Sequence, residues 1–310
     1  MVTDVVLFVD ANQYLKLYGM VAGKQLLDWI KEQQSHIFIS EQIVDEVFRN
    51  KLGCAQKFLV EKLKLQISIP NHLLGISGER LTDLRQNIQK SADELDALID
   101  DVLGKISRSE DEVSQGLSSL FEEAISPRQD QLDRARDRKE RGNPPGKQKD
   151  TLGDQITWEQ LLVHCKGRKH LWIITSDSDY GIKHDKKMLL NSLLRRDLNI
   201  ACGVELAVHY FDNWSQGMTD FRKNVGVTPD KLPTPTQIED IKKEEETLPL
   251  PRPSDWIFTA REAASASRRR METRKLLNQG LMYYLDAGQG GGGFIGNPGV
   301  IEDPPTEPEG

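Results

Sequence analysis

The sequence predicts an α/β fold with a parallel sheet at its centre. The run Val5-Val6-Leu7-Phe8-Val9 is unbroken and apolar, rich in β-branched side chains, and it stops on Asp10, as a strand buried on both faces would. Leu171-Trp172-Ile173-Ile174 repeats the design and ends in Thr175-Ser176-Asp177, with Asp179 two residues on. Around these runs apolar residues recur three and four apart, so helices alternate with strands. Ligands of open α/β sheets bind outside the carboxyl ends of the strands, which puts Asp10 and Asp177 in a binding crevice. For Asp10 taken alone, capping of the next helix is the plainer reading.

In chain order, a helix starting near Asn12 carries Leu15, Leu17 and Tyr18, and a second, from about Gly23 to Gln33, aligns Leu26, Leu27 and Ile30 on one face. Ile37-Phe38-Ile39 reads as a short strand. Ser40 is a good N-cap for a helix bearing Ile43, Val44, Val47 and Phe48. Asp45 and Glu46 flank that apolar face symmetrically, so periodicity does not choose between them. Leu65, Ile67 and Ile69 alternate as in a strand that Pro70 ends.

From about 78 to 148, apolar residues recur at helical spacing among many charges, which predicts a helical arm of two or three amphipathic helices inserted into the α/β domain. Its descending limb holds Arg134, Arg136, Arg138, Lys139 and Arg141, a run that reads as a solvated helix face. Gly142-Asn143-Pro144-Pro145-Gly146 breaks the helix. Gly153-Asp154 opens another, with Trp158, Leu161, Leu162 and Cys165 on its apolar stripe. Counting back four from Trp158 places Asp154 in the first turn on the buried face. Its plainer role there is interaction with the helix dipole, worth about 0.3–1 kcal/mol.

After Asp177, a loop with Lys183, His184, Lys186 and Lys187 leads to a helix bearing Met188, Leu189, Leu190, Leu193 and Leu194, and Val204, Leu206 and Val208 alternate as a last strand. His164, His184 and His209 lack the spacing of ligands to one metal. The segment 228–253 is rich in Pro, Glu and Lys and reads as a flexible linker; 254–285 reads as a further helical segment with Arg268 to Arg270 in a row, and 286–310 as a disordered tail. The α/β domain therefore occupies 1–227.

A chain of 310 residues can bury a full α/β core with additions, and 29% charged residues against 37% hydrophobic ones predicts that part of it is arm or tail. The net charge of −7 excludes a wholesale basic nucleic-acid binder but leaves room for a local basic groove. Cys54, Cys165 and Cys202 stand singly, which fits a reducing compartment and offers no thiolate metal site. No segment approaches the roughly 18 apolar residues of a membrane span, and Val5–Val9 lacks a basic leader, so the expected location is the cytoplasm.

Asp10, one of Asp45 or Glu46, Asp154 and Asp177 all fall at sheet edges or helix starts that can converge on one crevice. Carboxylates crowded together must take up protons unless a cation sits among them. Oxygen ligands without histidine or thiolate select Mg²⁺ or Mn²⁺, and such ions commonly serve phosphodiester hydrolysis.

At this point the residues resemble the PIN-domain nucleases. The likeness rests on Leu7-Phe8-Val9-Asp10-Ala11-Asn12, Glu46-Val47-Phe48, Gly153-Asp154 and Thr175-Ser176-Asp177, in that order, and covers residues 1 to about 225. The stretch Arg141 to Gly146 and the run Thr175 to Tyr180 are similar to a bacterial branch with a helical insertion before the third acid. The resemblance implies a Rossmann-like (PIN-like) sheet, with Asp10, Glu46, Asp154 and Asp177 as catalytic and metal-binding acids, Asp179 as a further metal ligand, and Asn12 and Thr175 as auxiliary. It implies one or two Mg²⁺ or Mn²⁺ ions and endonucleolytic cleavage of RNA, with DNA the other candidate substrate. It also implies a toxin or defence role in which a protein partner of antitoxin type restrains the nuclease. Arg141, Lys147 and Lys149 on one side and Lys183, Lys186 and Lys187 on the other would guide the nucleic-acid backbone. The C-terminal extension lies outside the likeness.

Two other functions compete. An aspartate-nucleophile phosphatase also ends its first strand in Asp, but that chemistry wants an acid two residues on, where this chain has Asn12. A non-catalytic nucleic-acid-binding or regulatory module would use the same acids for a structural ion alone.

Overall fold

A computed structural model describes residues 4–62, 78–146, 152–185, 187–225 and 233–248. Its core is a parallel sheet of four strands, β1 (Val5–Val9), β2 (Ile37–Phe38), β3 (His170–Ile174) and β6 (Ala207–Phe211), in the order β2-β1-β3-β6. The two acid-tipped apolar runs are its central pair, in register from Val5 opposite His170 to Val9 opposite Ile174. Side chains of Val6 to Val9 and Leu171 to Ile174 are wholly buried, as a strand covered on both faces requires.

The chain runs from β1 outward to β2, then crosses back to lay β3 on the other side of β1. That reversal opens a crevice between the carboxyl ends of β1 and β3, the place where an open α/β sheet takes its ligands. Helices α1 (Ala11–Lys16), α2 (Lys24–Glu32) and α3 (Glu41–Lys62) follow the first two strands. The inserted segment supplies α4 (Gly78–Ser107), α5 (Glu112–Phe121) and α6 (Gln129–Glu140), and α7 (Gly153–His164) leads into β3. The expected strand over Leu65 to Ile69 lies outside the described residues.

Aromatic packing covers both faces of the sheet. Trp172 meets Phe221 of α9 (Trp214–Asn224) at 5.0 Å between ring centroids, and Trp29 of α2 meets Phe221 at 5.7 Å. On the other face Phe8 meets Tyr180 at 5.7 Å, and Tyr180 meets Trp158 of α7 at 6.0 Å. The insertion is more than an arm. Leu117 and Leu120 of α5 join the main core beside Leu27, and Ile125 returns to the sheet edge, where its N–H donates to the Ile39 carbonyl at 3.0 Å.

Four expectations need correction. Residues 181–190 form no loop and helix start but an antiparallel hairpin, β4 (Gly181–His184) with β5 (Lys187–Leu190). A three-residue apolar run such as Met188 to Leu190 cannot distinguish helix from strand. The break comes at Asn191, whose side chain caps α8 (Ser192–Cys202) by accepting from Leu193 N. The last strand begins at Ala207, later than Val204, which is exposed, because pairing with His170 to Ile174 selects the window that ends at Phe211.

The basic limb is not simply solvated. Arg138 is buried: its guanidinium donates to Glu159 Oε1 from Nε at 2.9 Å and Nη2 at 2.8 Å, to Asp197 at 2.7 Å and to the Pro144 carbonyl at 2.8 Å. Arg134 adds a bond to Glu159 Oε2 at 3.0 Å, so one buried carboxylate anchors two arginines. Finally, the stretch expected as a linker holds α10 (Pro235–Thr247), started by a Thr234–Gln237 capping box with Pro235 in the first turn, and docked through fully buried Ile241 against α9. The expected helix over 254–285 and the tail lie outside the described residues. Among the described residues no helix is long and apolar enough to cross a membrane.

Candidate active site

Asp10 ends β1 because the chain turns there from extended backbone into α1. Its N–H donates to Ile174 O at 3.0 Å, continuing the strand pairing, while its Oδ1 accepts from Ala11 N at 2.8 Å and caps the helix. The other oxygen, Oδ2, accepts from the Thr175 hydroxyl and from Asn12 Nδ2. Capping and site placement are therefore one arrangement. Asn12 also donates to Thr175 Oγ1 at 3.1 Å, and Thr175 Oγ1 accepts from Asp177 N at 3.0 Å, so a buried hydroxyl ties the ends of both central strands together. Asp177 Oδ1 in turn accepts from Asp179 N at 3.0 Å and folds the following loop back toward the sheet.

Asp154 enters from the first turn of α7, where the Gly146 backbone lies close: a Cβ there would stand 3.3 Å from Asp154 Oδ2. Glu46 comes from α3, while Asp45 is exposed. The electrostatics joins these acids. Burial, and then the charges of Asp10, Glu46, Asp177 and Asp179 in that order, hold the Asp154 carboxyl well above the usual carboxylate range. Burial pushes Asp10 up to about 6, with Thr175 opposing and Asp177 adding to the rise. Tyr180, wholly buried beneath them, is raised by burial and by Asp10, Asp154, Asp177 and Glu46. The other four sequence-predicted acids thus all act on Asp154, and Asp177 acts on Asp10 as well.

The donor set fits a hard divalent cation. It is all oxygen, it is partly buried, and its negative charges destabilise one another. The side chains nonetheless approach from separate walls: among the described residues no three His, Cys, Asp or Glu side chains form a group close enough to enclose an ion. Arg141, Lys183 and Lys187 are exposed, Lys183 is bonded to Asp212 at 2.7 Å, and Lys147, Lys149 and Lys186 lie outside the described residues.

Sequence reasoning missed a second polar layer. Gln13, fully buried, donates from Nε2 to Asn12 Oδ1 at 2.9 Å, to Ser176 Oγ at 3.3 Å and to Asp212 O at 3.3 Å, and its Oε1 accepts from buried Lys16 Nζ at 3.1 Å. Asp212 follows Phe211 at the end of β6. The signal was present in Tyr210-Phe211-Asp212, a third apolar run stopping on an acid, once the strand is framed three residues later.

A parallel sheet flanked by helices, with acids at the carboxyl ends of its central strands, defines an α/β protein of Rossmann-like build. The family model described as the PIN domain matches residues 7–180, more than half of the chain, and the chain belongs to that family. Comparison with curated proteins and with solved structures returns no match.

Proposed function

We propose that this protein is a Mg²⁺- or Mn²⁺-dependent nuclease that hydrolyses RNA phosphodiester bonds, with Asp10, Glu46, Asp154 and Asp177 as its working acids. The observation that carries the reading is that carboxylates arriving from β1, α3 and the end of β3 act together on buried Asp154 of α7, and that Asp177 acts on buried Asp10. Membership of the PIN-domain family supports it. A bound ion supplies positive charge that neutralises the acids, lowers the pKa of the attacking water and stabilises the leaving oxygen.

The chain's own residues set the stage for that ion. Asp10, oriented by Thr175 and Asn12, would be the central ligand. Asp177 and Asp154 would hold the ion and orient water, Glu46 would complete its ligands, and Asp179 would add a further carboxylate. Arg141, Lys183 and Lys187, together with Lys147, Lys149 and Lys186, guide the phosphate backbone with little sequence preference. A toxin or defence role under a restraining partner follows the family habit. The three free thiols support a reducing, cytoplasmic setting.

The test is cleavage of labelled RNA and DNA panels with Mg²⁺, Mn²⁺ or EDTA, beside Asp10→Asn. Metal-dependent cuts that the variant abolishes are expected. A shift of the RNA in every condition with cuts in none would instead favour a binding or regulatory module.

A further inference from the structure

A cavity of about 580 Å³ is lined by Asp177 together with Lys16, Lys183, Asp212, Ser215 and Glu245. Its floor is the start of α9. Asn213 caps that helix by accepting from Gln216 N, which leaves the first two amides without a local partner. Both are taken by one carboxylate from a remote segment: Trp214 N donates to Glu245 Oε1 at 2.6 Å and Ser215 N to Glu245 Oε2 at 3.1 Å. Two successive helix-start amides on two oxygens of one anion is how helix N-termini hold phosphate.

Lys16 points independently to an anion. It is only 3% exposed, yet among the described residues its ammonium makes one hydrogen bond, to Gln13 Oε1, and no ion pair. A buried ammonium with two unused donors is costly unless a negative group comes to it. The charge that acts on it most is Glu245, followed by Asp212 and Asp10. The seat is also tied to the acids, since Lys16 bonds Gln13, Gln13 bonds Asn12 and Asn12 bonds Asp10.

We infer that the start of α9 and Lys16 form a phosphate seat for the nucleic-acid strand beside the acids, and that Glu245 fills it in the free protein. The identity of the strand rests on the nuclease reading above; the phosphate seat does not. Helix α10 is then a strap. It is held by Ile241, Leu248 and a bond from Ala22 N to Glu244 at 2.8 Å, and it gives up the Glu245 contact when a phosphate competes.

The experiment uses the full chain in EDTA, where no cleavage occurs, and measures binding of inorganic phosphate and of an eight-residue oligouridylate by calorimetry and thermal shift. Glu245→Ala is expected to bind both at least about tenfold more tightly than the wild type, a difference of about 1.4 kcal/mol. Adding Lys16→Met is expected to erase the gain. Glu245→Gln, neutral but of the same shape, is expected to gain in the same direction and serves if the alanine variant does not fold. Equal binding by wild type and both Glu245 variants, or a gain that survives Lys16→Met, overturns the seat. A gain for inorganic phosphate without one for the oligouridylate overturns its assignment to the strand. Loss of RNA cleavage in the separate metal-dependent assay, with the phosphate gain intact, counts against the catalytic reading alone.

Discussion

The Thr175 hydroxyl, at the end of one central strand, donates to the Asp10 carboxylate at the end of its neighbour. This bond and burial pull in opposite directions on the same proton. Burial wins and lifts Asp10 to about 6 from its ordinary 3.8. A carboxyl whose folded pKa lies above its unfolded one costs the ion-free protein stability as pH rises through that interval, and the cost persists at neutral pH. Asp10→Asn removes a penalty of at most about 3 kcal/mol and forfeits about 1 kcal/mol of hydrogen bonding. In EDTA the variant should melt at or above the wild-type temperature at pH 7.5, and the difference should vanish or reverse near pH 4.5. A pH series of melting curves checks this, and a difference independent of pH refutes it.

A divalent ion that neutralises the same acids should reverse the penalty. Saturating Mn²⁺ at about a hundred times its dissociation constant stabilises the folded state by about 2.7 kcal/mol. Melting temperature should therefore climb with Mn²⁺ in the wild type and stay flat in Asp154→Asn and Asp177→Asn. Ca²⁺ and Mg²⁺ titrations run alongside separate a specific site from general screening.

Gly146 adopts φ +88 and its backbone lies against Gln155 and Asp154. Gly146→Ala places a methyl group against both side chains in a conformation that L residues avoid, so a destabilisation of about 1–2 kcal/mol is expected. The methyl group displaces Gln155 first and also crowds Asp154 Oδ2, 3.3 Å away, so Mn²⁺ affinity should fall as well. Urea unfolding and metal calorimetry on the same preparation test the pair of effects.

Arg138→Met strips the buried Glu159 of its main counter-charge. Breaking a buried pair from one side typically costs about 3–5 kcal/mol, and removing both partners costs much less. The double variant Arg138→Met with Glu159→Met should regain most of the loss in urea unfolding. Asp197, left without its bond from Arg138, should make the recovery incomplete.

Much of the frame was legible because it depends on local period. Unbroken apolar runs ending on Asp10 and Asp177 mark buried strands whatever surrounds them, and Trp158, Leu161 and Leu162 fix the phase of α7 and so the position of Asp154. The segment 181–190 was misread for the same reason in reverse: Met188-Leu189-Leu190 is too short to carry a period, and only pairing with Gly181 to His184 makes it a strand.

The sequence by itself determined the central strands, the acids at their tips and the helical character of the insertion, since each follows from side chains within a few residues of one another. Only the tertiary structure left Asp45 exposed, buried Arg138, drew Gln13 and Lys16 inward and seated Glu245 on α9. Those outcomes depend on which distant charge or amide meets a polar group once water is excluded. Hydrophobic periodicity carries no record of such partners.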